Sequence, residues 1–284
     1  MSSEYRNNPP TLNYSPKPEF ITIVKEVIAQ ESLVLIKGFP IDKNAFVGFS
    51  KQIGSLMANY RAKGDGSADD YIQEVRIRTD IPPEERLSTE RDGEFKPHTA
   101  KSWGVSRPEL FGLLMINPGW RDNLYGNNGE SFLVRWRDVF LEMSERFPDN
   151  YHDDWEFLKG TDVIFTATHL PDPPANEPLV TELSSPFDIG VRYKENMVSV
   201  IEKLIPTFPN GERFHQAVVR FEEVAKTTAA RFEFSMEPGD SYFVDNRRVG
   251  HARRPFESYR VDSAGQMKYN PRLLLNIHIL NVSR

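Results

Sequence analysis

The chain contains no cysteine. That excludes disulfides, iron–sulfur clusters, thiolate zinc sites and a cysteine nucleophile, so any bound metal must be held by His, Asp or Glu. Long apolar runs are missing as well. No stretch approaches the ~18 residues of a membrane-spanning helix, and Met1–Pro18 is polar and proline-bearing, with no basic segment leading into an apolar one. A soluble, cytoplasmic protein without a membrane partner is expected. The basic residues form no stripe, and a net charge of −6 leaves no electrostatic footprint for nucleic acid. No Ser/Gly-rich or low-complexity segment divides the 284 residues. One domain over 19–284 is therefore expected behind an extended tail at 1–18.

What is present is material for a core. Hydrophobic residues make up 39% and aromatics 12%, which rules out global disorder and suits an enclosed small-molecule pocket. Apolar spacing predicts helices over Glu19–Gln30, after Asp42 as N-cap (Phe46, Phe49, Ile53, Leu56), over Asp138–Arg146 and over Asn210–Val224. Strands are expected at Ser32–Pro40, near Tyr71–Ile77, and at Leu110–Ile116, Ser131–Val134, Ala230–Met236, Ser241–Asp245 and Leu273–Leu280. Weaker strand signals lie at Val163–Thr168 and Arg192–Tyr193. Residues 61–95, with Gly64, Gly66, Pro82 and Pro83, read as a long loop or lid. Many strands, few helices and long loops point to a mainly β fold, a β-sandwich with helices packed outside.

Two distant segments carry the chemistry. The first is His98-Thr99-Ala100, followed by Asn128-Gly129-Glu130-Ser131. The second is Glu237-Pro238-Gly239-Asp240 and then Val244-Asp245-Asn246-Arg247-Arg248-Val249-Gly250-His251-Ala252-Arg253. Taken alone, Pro238-Gly239-Asp240 is a tight turn, and Asp245 is better placed to organise the turn around Asn246 than to bind metal. Either histidine alone would be a surface or core residue. A redox iron needs rigid ligands facing one cavity with positions left open, and the spacing suggests histidines on opposite sheets of one jelly roll.

In order and spacing these motifs resemble the taurine dioxygenase (TauD/TfdA) and clavaminate synthase-like family of iron(II)/2-oxoglutarate-dependent oxygenases, over roughly Ser32–Leu280. The resemblance implies a double-stranded β-helix (jelly-roll, cupin-like) core, iron(II) held by His98 and His251, and 2-oxoglutarate and molecular oxygen acting on a small-molecule substrate. It places Arg272, in Asn270-Pro271-Arg272, on the distal carboxylate of 2-oxoglutarate, which a planar guanidinium grips with two parallel bonds. Ser131 corresponds to a hydroxyl that assists there. The stretch from His251 to Arg272 is longer than the family usually shows, so Arg260 stands as a rival anchor. Asn276 falls where amino-acid-oxidising relatives often place an arginine for the substrate carboxylate, which weakens a simple amino acid as substrate. His278 shares its expected face, with packing as the favoured role.

One departure dominates. The family's motif is His-X-Asp or His-X-Glu, and the acidic position here is Ala100. Three readings stay open. In iron/2-oxoglutarate halogenases the acidic ligand is Ala or Gly and the vacancy admits chloride, so that halide is delivered to an aliphatic carbon. Alternatively, oxygenation is retained with water, or with a carboxylate from elsewhere such as Glu94 or Glu130. Finally, the chain is a degenerate or inactivated member that binds a ligand without turnover, and Ala100 itself either natural or introduced. A rival outside the family, a cupin-like ligand-binding jelly roll, predicts that His98 and His251 do not converge. Trp103, Trp120, Arg121 and Tyr125 are candidate pocket residues.

Overall fold

The structure is a computed structural model, and it describes residues 8–59, 62–78, 81–82, 86, 88–166, 173–185 and 188–282. Residues 1–7 of the expected tail, 61, 79, 80, 83–85 and 87 of the expected lid, and the end of the weak strand at 163–168 lie outside them. The chain begins β1 (Thr11–Asn13), α1 (Glu19–Glu31), β2 (Leu33–Lys37), α2 (Lys43–Ile53), β3 (Gly54–Leu56), β4 (Gln73–Val75), β5 (Phe95–His98), β6 (Leu110–Asn117) and β7 (Ser131–Arg135). There follow α3 (Trp136–Arg146), α4 (Pro148–Gly160), β8 (Asp162–Phe165), β9 (Ala175–Pro178), β10 (Val180–Glu182), β11 (Ile189–Val191), α5 (Met197–Leu204) and α6 (Gly211–Thr227). The remainder is β12 (Phe232–Phe234), β13 (Ser241–Asp245), β14 (Val249–Arg253), β15 (Tyr259–Val261), β16 (Met267–Tyr269) and β17 (Leu273–Val282).

Two sheets face each other. The larger runs β1-β2-β13-β6-β17-β3 with β4 also on β17, and the smaller runs β12-β7-β14-β5. Alternation along each strand sorts side chains into layers, because successive residues point to opposite faces. On β17, Leu275, Ile277 and Ile279 pack beneath α1 and α2 with Phe20, Val24 and Phe46. Leu274 points the other way, into the space between the sheets with Leu113, Leu133 and Tyr242. The smaller sheet turns Phe132, Val134 and Ala252 outward onto α3, α4, α5 and α6. The result is a sheet sandwich with helices on both sides, the jelly-roll core that was expected.

Local chemistry sets several of these elements. Asp42 caps α2 by accepting the Ala45 amide at 2.7 Å. Phe20, Val24 and Ile28 recur at helical spacing along the buried face of α1, and Ser32 ends that helix in a left-handed conformation, φ 64°. Thr11–Asn13 lies within the segment expected as tail and pairs in parallel with β2. Two helices were not foreseen, α4 and α5, so the helical share exceeds the expectation. Arg192 and Tyr193 lie just beyond β11 and not in a strand.

Candidate metal and cosubstrate site

β5 and β14 are antiparallel neighbours, and His251 lies directly across from His98. The histidines therefore share one sheet, which corrects the expectation of opposite sheets. Cross-strand neighbours on one face sit ~5 Å apart whereas facing sheets are ~10 Å apart, so adjacent strands bring two short ligands together more readily. The ring centroids are 4.1 Å apart, a convergence that the non-metal jelly-roll reading did not predict. His98 Nδ1 lies 2.8 Å from the Lys96 carbonyl, which assigns it the proton and leaves Nε2 as the lone-pair nitrogen. Buried His251 Nδ1 has no hydrogen-bond partner among the described residues. Burial lowers the pKa of His98, and burial together with His98 and His278 pushes His251 well below the ordinary range. Both imidazoles are thereby held neutral, the form that ligates a metal.

Ala100 closes the turn after β5. Its amide donates to Asn246 Oδ1 at 2.6 Å, and Asn246 Nδ2 donates to the Ala100 carbonyl at 3.0 Å and to the Pro108 carbonyl at 3.1 Å. Asn246 is fully buried, so one side chain from the downstream motif fixes the backbone of the upstream one. Asp245 organises that turn, as expected, accepting the amides of Arg247 and Arg248. Thr99 is stapled to Tyr193: its amide donates to the Tyr193 carbonyl at 2.9 Å, and its hydroxyl accepts the Tyr193 amide at 3.1 Å. The next residue, Lys101, adopts φ 48°.

These groups open on a cavity of about 410 Å³ lined by His98, Ala100, Lys101, Ser131, His251, Arg253, Arg272 and their neighbours. Phe95 packs on His98 at 3.9 Å and Phe111 stacks on His251 at 4.2 Å, forming apolar walls around the pair. Arg272 is buried in the cavity wall, with no hydrogen bond or ion pair among the described residues. Its guanidinium lies 5.6 Å from the Phe256 ring, and burial pushes its pKa down to about 10. Gly129 explains part of the Asn128-Gly129-Glu130-Ser131 motif. At φ +70°, a Cβ there would stand 2.7 Å from Arg272 Nε, so only glycine lets the arginine pass.

The rival anchor is corrected. Arg260 lies outside the cavity, bonded to Asp122 at 2.5 Å, to Glu257 at 3.0 Å and to Asn123 at 2.7 Å, because the added length after His251 folds into the β15–β16 hairpin. Of the four candidate pocket residues only Trp103 lines the cavity. Tyr125 is exposed, Trp120 packs under Arg260, and Arg121 pairs with Glu237. Glu94 pairs with Arg254, and Glu130 accepts the Gly126 and Asn128 amides, so neither reaches the histidines. His278 does face the cavity, buried, with its pKa pushed well below ordinary by burial and then by Lys101. Among the described residues no three His, Asp or Glu side chains are grouped to hold a metal.

The profile of the family described as Taurine catabolism dioxygenase TauD, TfdA family matches residues 7–267. The chain belongs to the TauD/TfdA family, and with it to the iron(II)/2-oxoglutarate-dependent oxygenases. No curated protein matches this TauD/TfdA-family chain in sequence. Solved structures match it in fold. Asparagine oxygenase, solved with Fe(II), 3-hydroxyasparagine and succinate, aligns at TM-score 0.62 and 16% identity, over 92% of this chain and 78% of that one. A taurine dioxygenase from Burkholderia xenovorans aligns at 0.59 and 15%, over 96% and 86%. PvcB from Pseudomonas aeruginosa aligns at 0.60 and 14%, over 96% and 86%.

The residues of this TauD/TfdA-family site fit the family's cofactors on two structural grounds. Among the described residues, His251 keeps a buried ring nitrogen without a partner and buried Arg272 keeps a guanidinium without a counter-ion. Each is costly unless a ligand completes it. Sequence reasoning missed Glu195, a carboxylate lining the cavity whose charge acts on His98. It also passed over Arg253, which lines the cavity and gives Nη2 to the carbonyls of Arg91 and Gly93 at 2.8 and 2.7 Å. Arg253 stood inside the quoted His251-Ala252-Arg253 run. Glu195 carried no such signal.

Proposed function

We propose that this protein oxidises an unactivated C–H bond of a small-molecule metabolite, with iron held by His98 and His251 and with an exogenous halide beside Ala100, so that halogenation is the outcome. The observation that carries this reading is Ala100 itself: its side chain is buried in the cavity wall next to the histidine pair, and no Asp or Glu among the described residues completes a three-ligand group. Iron(II) and 2-oxoglutarate, when bound, would supply the electrons that activate molecular oxygen, which is the oxidant that removes hydrogen from carbon.

The chain's own residues do the rest. Arg272 takes the distal carboxylate of 2-oxoglutarate through its planar fork, and Ser131 stands in the same wall to assist. Asn246 holds the Ala100 backbone still, which keeps the methyl from drifting across the vacant corner. Phe95, Phe111, Leu113 and Tyr242 keep water out of the reacting space. Among the described residues Glu195 is the one carboxylate that lines the cavity, so little negative charge opposes an anion beside Ala100.

Anaerobic titration of the protein with iron(II) and 2-oxoglutarate, followed through the metal-to-ligand charge-transfer band, tests this. A band that shifts with chloride is expected. A band indifferent to chloride overturns halide binding, and no band at all leaves the ligand-binding, non-catalytic reading. The cavity position of Glu195 favours a second reading, in which this carboxylate completes the metal site. Under it, Glu195→Gln weakens iron binding about tenfold or more, whereas the halide reading leaves iron affinity unchanged in that variant.

A further inference from the structure

The wall of the cavity formed by the larger sheet carries two carboxamides that the protein does not use. Asn276 on β17 lies directly across from Gln73 on β4, and both line the cavity. Asn276 is 4% exposed. It points inward because it shares the parity of Leu274 and His278, while Leu275 and Ile277 fill the layer under the helices. Among the described residues, Asn276 Oδ1 has no hydrogen-bond partner. No hydrogen bond from its Nδ2, and none involving the Gln73 side chain, occurs among the described residues. Thr89 Oγ1, in a 3-10 turn, and Trp103 Nε1 line the same cavity and are likewise buried without partners among the described residues.

A buried polar group without a partner opposes folding unless a ligand satisfies it. The missing partner here is neutral. An amide oxygen calls for a donor and an amide nitrogen for an acceptor, neither carries charge, and a carboxylate offers acceptors only. The basic groups of the cavity are directed elsewhere: Arg253 to the Arg91 and Gly93 carbonyls, Lys194 to the Thr166 carbonyl at 3.0 Å, Lys101 to the Ala58 carbonyl at 3.4 Å. Resting on the proposed function, which assigns Arg272 to 2-oxoglutarate, we infer that Asn276 and Gln73 form a substrate subsite that recognises a neutral carboxamide-type group, a primary amide or a lactam, and discriminates against a carboxylate.

The test uses the full chain with iron(II) and 2-oxoglutarate under anaerobic conditions, repeated without iron. The probes are phenyl, cyclohexyl and butyl scaffolds, each carrying a carboxamide, a carboxylate, a hydroxymethyl or a methyl group, with affinities measured by calorimetry. The carboxamide is expected to bind about tenfold or more tightly than the other three on each scaffold. Asn276→Leu is expected to erase that preference while leaving the methyl probes unchanged, and Gln73→Leu, at a half-buried position, to reduce it. Equal or tighter binding of carboxylates or alcohols, binding of none of the probes, or a preference that survives both substitutions overturns the subsite. Its failure is separable from failure of the proposed function. If only the subsite is wrong, the charge-transfer band remains; if only the iron reading is wrong, the band is absent while carboxamide selectivity persists without metal.

Discussion

At Ala100 a methyl group stands where the family's motif places a charge, and buried Asn246 clamps the surrounding backbone through three hydrogen bonds. Its counterpart is Arg272, a charge without an ion-pair partner among the described residues. A bidentate charge-assisted contact contributes about 1.5–3 kcal/mol, so Arg272→Met should weaken 2-oxoglutarate binding roughly 10- to 100-fold, with Arg272→Lys intermediate. Calorimetry with 2-oxoglutarate checks this, and unchanged affinity in Arg272→Met would remove the residue from the site. That His98, His251 and Arg272 line one cavity was legible in the sequence because ordered motifs carry them. Arg260 was a rival to Arg272 only while the fold of the intervening residues was unknown. Glu195 was invisible for a physical reason: it reaches the cavity through the Thr99–Tyr193 staple, a contact between segments distant in the chain.

Among the elements, β14 bears His251 and is positioned by what packs on its outer face. A Cβ on Gly250 would stand 2.3 Å from Cη2 and Cζ2 of the fully buried Trp136. The indole therefore occupies the space that any other residue beside His251 would need. Gly250→Ala should cost about 1–3 kcal/mol of stability by overpacking, and adding Trp136→Phe should recover part of it. Chemical denaturation of the two variants checks this, and a neutral Gly250→Ala would contradict the packing account. A second tie on the same segment sets a pH dependence. Arg248 donates two 2.6 Å hydrogen bonds to Asp188, which hold that carboxyl below its ordinary pKa. A depressed carboxyl stabilises the fold above its unfolded pKa, about 4, and that contribution fades as the pH falls toward the folded value. Wild type should therefore exceed Asp188→Asn in denaturation midpoint near pH 7, with the gap narrowing below about pH 4; a gap independent of pH would contradict this. Helix α4 escaped sequence reading because its core-facing stripe is mostly aromatic and only partly buried, with Tyr151, Trp155 and Phe157 set among charged residues. Leu158 is its one fully buried hydrophobic residue, and buried Asp154 ties it to Arg220 of α6 through bonds of 2.6 and 2.7 Å.

Across the whole molecule, the sheet sandwich was legible from strand alternation and motif order, while the sheet that carries each histidine was not. Strand pairing between residues as distant as 98 and 251 is decided by closure of the smaller sheet, in which β14 lies between β7 and β5. That closure creates a cavity with basic residues and apolar walls in which, among the described residues, no three His, Asp or Glu side chains are grouped to hold a metal. The central claim is that the corner beside Ala100 takes a halide. Iron-edge X-ray absorption of the anaerobic iron(II)/2-oxoglutarate complex in bromide tests it most directly, because bromide scatters far more strongly than nitrogen or oxygen. The account predicts a bromide neighbour to iron in the wild type and none in Ala100→Asp, where a carboxylate fills the corner. Only nitrogen and oxygen neighbours in both proteins would contradict it.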